Sequence, residues 1–250
     1  MGVSTLDMRL LMSIMVIMVK IKLTSKDRQQ WILKKVVKSY IQKGEPIASQ
    51  FLVVHCNFDV SPATVRHDFQ ELAEEGYLYK FHISSGRIPT DKAWKYFVDL
   101  MLTEQNTVEQ WREKWERLLR HKTNVMTDWD RLVNFISEES RALGFCYLAD
   151  DNEVKKAGLK YVFYDLMQDP YLIPQIAESL DNLDDQLRKI KIGEDPLILI
   201  GHDNPLVEYD GFSALLTKGR HSNNIFGLLG NKRMPYDKNI GLLDALKELV

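Results

Sequence analysis

Cysteine is scarce in this sequence, because the 250 residues contain two, Cys56 and Cys146. Each lies in an apolar stretch, which is typical of a small buried side chain in a reducing compartment and excludes a disulfide framework. Sequence patterns of enzymes are also missing, since there is no second Cys or His at metal-ligand spacing, no nucleophile elbow and no phosphate-binding loop. We therefore expect a cytoplasmic protein that is not an enzyme and that uses neither a metal ion nor a cofactor.

The N-terminus lacks an apolar run long enough to form a membrane helix. Residues 10–19 are apolar apart from Ser13, but a span needs about 20 residues. An export signal is the alternative, yet no small-residue cleavage site follows this stretch. We favour a start of translation at Met18 over an export or anchoring signal, assign residues 1–19 to a non-native or flexible extension, and expect no membrane partner.

Charge is divided unevenly along the chain, although the formal net charge is only -2. Residues 20–100 hold 13 Lys and Arg against 9 Asp and Glu, which gives +4, whereas residues 101–250 hold 19 against 25, which gives -6. This basic excess in the first part is expected if that part contacts nucleic acid. The length allows two domains, each with its own core.

Three predicted helices with short connections occupy the basic part. The first covers residues 26–43, has apolar residues at helical spacing and ends at Gly44. Ser49 is the expected cap of a brief second helix over residues 50–56. The third begins with Ser61 as its cap and Pro62 at the first helical position. The order helix, helix, short turn, helix is that of a helix-turn-helix.

The third helix has an apolar face and an opposite polar face. Val65, Phe69 and Leu72 share the apolar face, and the first two turns of the other face carry side chains that can contact base edges, methyl groups or phosphates. The predicted DNA-contacting residues of this recognition helix are Ser61, Ala63, Thr64, Arg66, His67 and Gln70. Arg66 has alternative assignments, because it can pair with Asp68 or Glu71 or contact a phosphate. A phosphate contact would position the protein on DNA without specifying the sequence.

A wing is predicted directly after the recognition helix. Residues 77–81 alternate like a strand and residues 82–88 form a turn-rich hairpin. Arg87 is expected to face the DNA backbone or a minor groove, and Thr90 and Asp91 cap a further helix over residues 92–103. The predicted DNA-contacting residues of the wing and of the second helix's start are Ser49, Gln50, His82, Ser84, Ser85, Gly86 and Arg87.

The remainder of the chain mixes helices and strands. Residues 104–136 are charged and helical around Trp111 and Trp115, and this segment either pairs with a copy of itself or covers a neighbouring core. Strands are predicted at 143–149, 197–200, 212–217 and 225–230, and helices at 154–166, 171–190 and 239–250. The loop pair His202 and Asp203 is either solvated or lines a pocket. The predicted fold class is α+β.

Two long stretches resemble one known family. The run GEPIAS…DVSPATVRHDFQELAEEGYLYKFHISSGRIPTDKAWKYFVD resembles the DNA-binding domain of the HrcA heat-inducible transcription repressors, and the tail IGHDNPL…NNIFGLLGNKRMPYDKNIGLLDALKELV is similar to the end of the same family. The family usually has Arg where Gln50 stands and Asn where His67 stands. The resemblance implies a winged-helix domain at 20–103, a helical linker at 104–136, and a reduced GAF-like α+β domain at 137–250 that lacks most of the family's inserted dimerisation segment.

The resemblance also implies a function. It predicts a repressor of heat-shock (chaperone) genes that binds an inverted-repeat operator in double-stranded DNA as a homodimer, is released on heat stress, and has the chaperonin as a further candidate partner. Independently of the family, one helix reads few base pairs, so two half-sites are needed for specificity. The alternative is a GAF-domain sensor of a ligand or protein, with a different operator or with DNA binding secondary.

Overall fold

The first half of the chain folds as a small helical domain with a two-stranded wing. The computed structural model describes residues 24–56, 60–80, 86–103, 106–121, 128–167, 169–193 and 196–249. In chain order the first half contains helices α1 (Ser25–Lys43), α2 (Ser49–His55) and α3 (Pro62–Glu74), strands β1 (Leu78–Tyr79) and β2 (Ile88–Pro89), and helix α4 (Asp91–Thr103). This order confirms the predicted helix-turn-helix followed by a wing.

Local signals explain where α1 begins and ends and where α3 begins. Thr24 and Asp27 form a reciprocal capping box at the start of α1, and Gly44 ends that helix with φ of 69° in the left-handed region. At the start of α3 the Ser61 hydroxyl accepts the Thr64 N–H at 3.1 Å, and Pro62 occupies the first turn. The end of α1 at Gly44 and the start of α3 at Ser61 and Pro62 agree with the sequence analysis.

The predicted cap of α2 is wrong. Ser49 is already the first residue of that helix, Ala48 holds the cap position in an extended conformation, and no side chain caps the helix. The reason lies in the neighbouring wing. Ile47 and Arg87 exchange backbone hydrogen bonds of 2.9 and 2.8 Å, so the extended chain continues through Ala48 before the helix can begin.

The second half is built on a five-stranded antiparallel sheet. Its elements are helices α5 (Asn106–His121) and α6 (Trp129–Ser140), strands β3 (Leu143–Leu148) and β4 (Glu153–Ala157), helices α7 (Leu159–Asp165), α8 (Ile173–Asp181) and α9 (Leu183–Lys189), strands β5 (Leu197–Ile200), β6 (Phe212–Lys218) and β7 (Ile225–Asn231), and helix α10 (Tyr236–Leu249). The strand order is β4-β3-β7-β6-β5. The α+β fold class is confirmed.

The helix predicted over residues 154–166 is half wrong. Its first part is strand β4, whose residues Glu153 to Ala157 pair with β3, and Gly158 at φ of 90° separates it from α7. Glu, Lys and Ala favour a helix in isolation, but pairing with a neighbouring strand overrides that preference. The last helix also begins at Tyr236, before the expected residue 239.

Both faces of the sheet carry a hydrophobic core. On one face, buried side chains of β3, β6 and β7 pack against α7, α8 and α9. On the other face, the core runs through α5, α6 and α10 and continues without interruption into the apolar side chains of the winged helix. Trp94 of α4 marks the continuity, since its ring is 6.2 Å from the rings of both Tyr40 and Tyr236. The core on this face of the sheet therefore extends across both halves of the chain.

Helix α5 covers a neighbouring core, which is one of the two alternatives for the charged helical segment. Trp115 is buried at 1% exposure, and its indole N–H donates to the backbone carbonyl of Lys238 in α10 at 3.3 Å. Gly241 lies so close to Trp111 that an added Cβ atom would overlap it. Because Val108 and Trp115 of α5 are buried within the chain, this part of its apolar face is covered without a second copy. The linker's boundaries remain a prediction.

Both cysteines are free, and they differ in burial. Cys146 in β3 is fully buried, and burial raises the pKa of its thiol to about 12, as expected of a small hydrophobic side chain. Cys56 is half-buried. Across the ranges that the structure describes, no helix is both long and apolar enough to cross a lipid bilayer. The apolar stretch at residues 10–19 lies outside those ranges.

Candidate nucleic-acid interface

The leading turns of α3 present their polar face to solvent. The predicted contact residues Ser61, Ala63, Arg66, His67 and Gln70 are exposed, and Thr64 is half-buried. On the other side Val65, Phe69 and Leu72 are buried, as the periodicity predicts. The exposed end is the helix N-terminus, where the macrodipole is positive and favours phosphate. The side of α3 that is predicted to contact DNA is therefore accessible.

A buried ion pair between α1 and α3 holds the recognition helix in place. Arg28 donates from Nε and from Nη2 to the two carboxylate oxygens of Asp68, and both hydrogen bonds are 2.8 Å long. The Asp68 side chain is completely buried, whereas Arg28 keeps 20% exposure. The hydrogen bond to Asp68 raises the pKa of Arg28. The sequence carried a signal for this pair, because Asp68 is a charged residue on the apolar face beside Val65 and Leu72.

The two carboxylates that were proposed as intramolecular partners of Arg66 are bound by side chains of α1. Asp68 is bound by Arg28, and Glu71 accepts a hydrogen bond from Gln29 of α1. Among the residues that the structure describes, Arg66 has no hydrogen-bond or ion-pair partner. Its exposed guanidinium is therefore available for a phosphate or a base edge.

Two other predicted contact residues interact with neighbours one turn away. His67 Nε2 lies 3.5 Å from a Glu71 carboxylate oxygen, and Gln70 Nε2 donates to Glu74 at 3.0 Å. Pairs of this kind on a helix surface contribute a few tenths of a kcal/mol, typically about 0.2–0.5. A duplex can therefore replace them at little cost.

The wing lies beside the start of α2, because Ile47 pairs with Arg87. At that start Ser49 is half-buried and Gln50 is exposed. Gly86 permits the close approach, since an added Cβ atom would overlap the Ile47 backbone. The structure thus brings the predicted contacts at the start of α2 next to those at the base of the wing.

The side chain of Arg87 packs inward. Its guanidinium carbon is 5.9 Å from the centre of the Phe69 ring in α3, and burial lowers its pKa. This contact ties the wing to the recognition helix, and the DNA contact of Arg87 stays a prediction. His82, Ser84 and Ser85, which are further predicted wing contacts, lie outside the described residues.

At its base the wing meets the second half of the chain in a contact that we call the interdomain joint, formed by Asp91, Gly201, His202 and Lys232. Lys232 Nζ is 2.8 Å from one carboxylate oxygen of Asp91, and the backbone N–H and ring Nδ1 of His202 are 3.1 and 2.9 Å from the other. Although desolvation opposes the shift, the hydrogen bonds from Lys232 and His202 hold the pKa of Asp91 below its usual range. Asp203, the other half of the predicted loop pair, binds Lys95 of α4.

The joint predicts a pH dependence of stability. The hydrogen bond to Asp91 raises the pKa of His202, with further support from Asp210 and opposition from Lys232. The contribution of this contact is present below the unfolded-state pKa of about 6.5 and is lost as pH rises through the higher folded-state pKa. Between pH 6 and pH 8, the melting temperature of the wild type should therefore fall slightly more than that of the His202→Gln variant, measured by scanning calorimetry. Equal falls in both proteins would contradict the assignment.

Comparison with known proteins agrees with this geometry. The model of the DeoR-like helix-turn-helix domain matches residues 40–84, which contain the end of α1, all of α2 and α3, and β1. Together with the wing, this match defines a protein with an N-terminal winged helix-turn-helix domain followed by an α+β domain.

Curated proteins similar to this chain include HrcA repressors. The chain is 38% identical over 115 residues to the heat-inducible transcription repressor HrcA of Chlorobium chlorochromatii (strain CaD3), a match that covers 46% of this chain and 32% of the relative. It is 44% identical over 89 residues to the HrcA of Roseiflexus castenholzii (strain DSM 13941 / HLO8), covering 33% of this chain and 25% of that protein. The resemblance to HrcA predicted from the sequence is confirmed, and the alignments span about a third or less of the length of these two relatives.

One solved structure resembles nearly the whole chain. A crystal structure of a hypothetical protein superposes with a TM-score of 0.65 and 18% identity, covering 88% of this chain and 96% of the other. At that identity the similarity concerns the fold. It extends the agreement from the helix-turn-helix to the α+β half.

Proposed function

We propose that this chain is a sequence-specific transcription repressor of heat-shock (chaperone) genes that binds double-stranded DNA through α3 and its wing. The observation that carries the proposal is the exposed face of α3, where Arg66 is unpaired among the described residues while Asp68 and Glu71 are engaged by α1. A helix N-terminus with exposed hydroxyl, guanidinium and imidazole groups suits the major groove. The similarity to HrcA proteins supports the choice of target genes.

The proposed operator is an inverted repeat bound by a homodimer. One recognition helix contacts few base pairs, and specificity against a genome requires a second half-site related by the symmetry of the dimer. The relatives are described as heat-inducible, and this description supports release from the operator on heat stress. A cytoplasmic location and the chaperonin as a further partner belong to the same proposal.

The proposal predicts that the purified chain selects an inverted repeat from fragments of its own genomic DNA. In a mobility-shift titration the selected duplex should bind about 1,000-fold or more tightly than a shuffled duplex of equal length. Affinity for both duplexes should fall steeply between about 50 and 200 mM salt, because phosphate contacts release counterions. Repeating the titration at rising temperature tests the release.

Two outcomes would contradict this function. Recovery of fragments with no shared sequence would exclude a specific operator, and association that does not respond to salt would exclude a phosphate interface.

Mass spectrometry of the native N-terminus, run on the same preparation, tests the expected start at Met18.

A second candidate function is a sensor whose α+β half binds a small molecule, with DNA binding secondary. A cleft of about 730 Å³ between the two halves favours this alternative, and its lining includes Tyr79 of the winged helix and Tyr209 of the α+β half. Its volume falls in the usual range of ligand sites, roughly 300–1,000 Å³. A thermal-shift screen of metabolites distinguishes the two candidates. A metabolite that raises the melting temperature, together with DNA binding that shows no sequence preference, would favour the sensor.

A further inference from the structure

The interdomain joint is connected to the recognition helix by a short series of hydrogen bonds. Asp91 follows Thr90, whose hydroxyl donates to the backbone carbonyl of Gly76 at 2.7 Å and lies 3.0 Å from that of Tyr77, just beyond the end of α3. On the other side of Asp91, Lys92 Nζ donates to the carbonyl of Glu75 at 2.7 Å. The residues that flank Asp91 therefore hold the end of the recognition helix.

Close packing accompanies these hydrogen bonds. Gly201 has a φ of 59°, and an added Cβ atom there would overlap the Asp91 carboxylate. Gly44, at the end of α1, has a φ of 69°, and an added Cβ atom would overlap the guanidinium of Arg233. Gly201 thus allows its own turn to lie against Asp91, and Gly44 allows the side chain of Arg233 to lie against the end of α1.

The joint unites the two stretches that resemble HrcA. Asp91 belongs to the run SGRIPTDK after the wing, and Lys232 belongs to GNKRMPYDK near the end of the chain. Their side chains meet at 2.8 Å although 141 positions separate them. The Asp91 side chain is 21% exposed and that of Lys232 is 16% exposed, so both charges are largely withdrawn from water. His202 also binds Asp91, and Asp210 lies 3.9 Å from Lys232.

We propose that Asp91, His202 and Lys232 are positioning residues that fix the orientation of α3 relative to the α+β half. The inference rests on the proposed function, because in a dimer this orientation sets the separation and the relative rotation of the two recognition helices. Each added base pair moves a half-site by about 3.4 Å and turns it by about a tenth of a helical turn. If the joint is rigid, the dimer should therefore bind best to one spacing between the two half-sites.

The test measures affinity against half-site spacing. Duplexes carry the selected inverted repeat at its natural spacing, at spacings changed by one, two and five base pairs, and as a single half-site. The proteins are the wild type, Asp91→Asn, Lys232→Met and His202→Gln. Lys160→Met is the matched control, since its ion pair with Glu138 is exposed and lies within the α+β half.

The wild type and Lys160→Met should prefer the natural spacing. In Lys232→Met and Asp91→Asn this preference should weaken by about fivefold or more, which is typical of a coupling between sites. Their affinity for the single half-site should stay within about twofold of the wild type, because the contact surface of α3 is unchanged. His202→Gln should show the same change to a smaller degree, since its imidazole is 78% exposed. Thermal melts establish that each variant is folded at the assay temperature.

Two results would overturn the inference. Retention of the wild-type spacing preference by both Lys232→Met and Asp91→Asn would show that the joint does not set the geometry. An equal loss on the single half-site and on the full repeat would show that the joint supports the winged helix itself. Failure of the wild type to bind the inverted repeat is a different result and would refute the proposed function.

Discussion

Replacing Arg28 with methionine is expected to lower the free energy of unfolding by about 3–5 kcal/mol, the usual cost of leaving one member of a buried ion pair unpaired. The cause is the complete burial of the Asp68 carboxylate, which would lose both hydrogen bonds from the guanidinium. Replacing Asp68 with asparagine should cost less, because Arg28 is partly exposed and can turn toward water. Denaturant unfolding followed by tryptophan fluorescence measures both effects.

Two further variants make this expectation specific. Lys38→Met changes an exposed lysine of the same helix and should stay within about 0.5 kcal/mol of the wild type. The double variant Arg28→Met with Asp68→Leu should recover most of the lost stability, because an apolar pair can replace a buried ion pair at little cost. If Arg28→Met were as stable as Lys38→Met, the pair would not hold α1 against the recognition helix.

Replacing Arg66 with alanine is expected to weaken binding to the operator by about 1–3 kcal/mol, or roughly 5- to 150-fold, and to weaken binding to random duplex by less. The reason is that Arg66 is exposed and has no partner among the described residues, so its guanidinium can reach a base edge. Fluorescence-anisotropy titrations with the selected repeat and a shuffled duplex measure the two losses at one fixed salt concentration.

The substitution Arg66→Lys separates the two roles that an arginine can play on DNA. Lysine keeps the positive charge and loses the planar, bidentate geometry, so random binding should persist while sequence preference declines. Arg131→Ala serves as the matched control, because Arg131 is an exposed arginine of α6 paired with Asp128. Equal losses on operator and random DNA for Arg66→Ala would assign the residue to a phosphate, which positions the helix without specifying the sequence.

Short-range signals explain the parts of the fold that the sequence predicts well. The hydroxyl of Ser61, the fixed φ of Pro62 and the left-handed Gly44 act within four residues of their own position, so they can be recognised without a structure. The same holds for the exposed and buried faces of α3, because both follow from the helical period. The general form of the candidate interface was therefore accessible from the sequence.

Contacts distant in the chain explain the rest. The partner of Asp68 lies 40 positions away and that of Asp91 lies 141 positions away, and neither spacing is encoded in a local pattern. Strand β4 has the composition of a helix and becomes a strand by pairing with β3, which no period-based argument over five residues can anticipate. The extended conformation of Ala48, where the sequence does not predict one, likewise depends on the wing, which comes 39 positions later at Arg87.

The position of Trp94 matters for anyone who wishes to isolate the DNA-binding half. Its indole is 1% exposed in the whole chain and touches Tyr236 near the C-terminus. A fragment ending at Thr103 would uncover a large aromatic surface, and such surfaces promote aggregation. Crystallisation trials of an operator complex are therefore better begun with the entire polypeptide than with its first hundred residues.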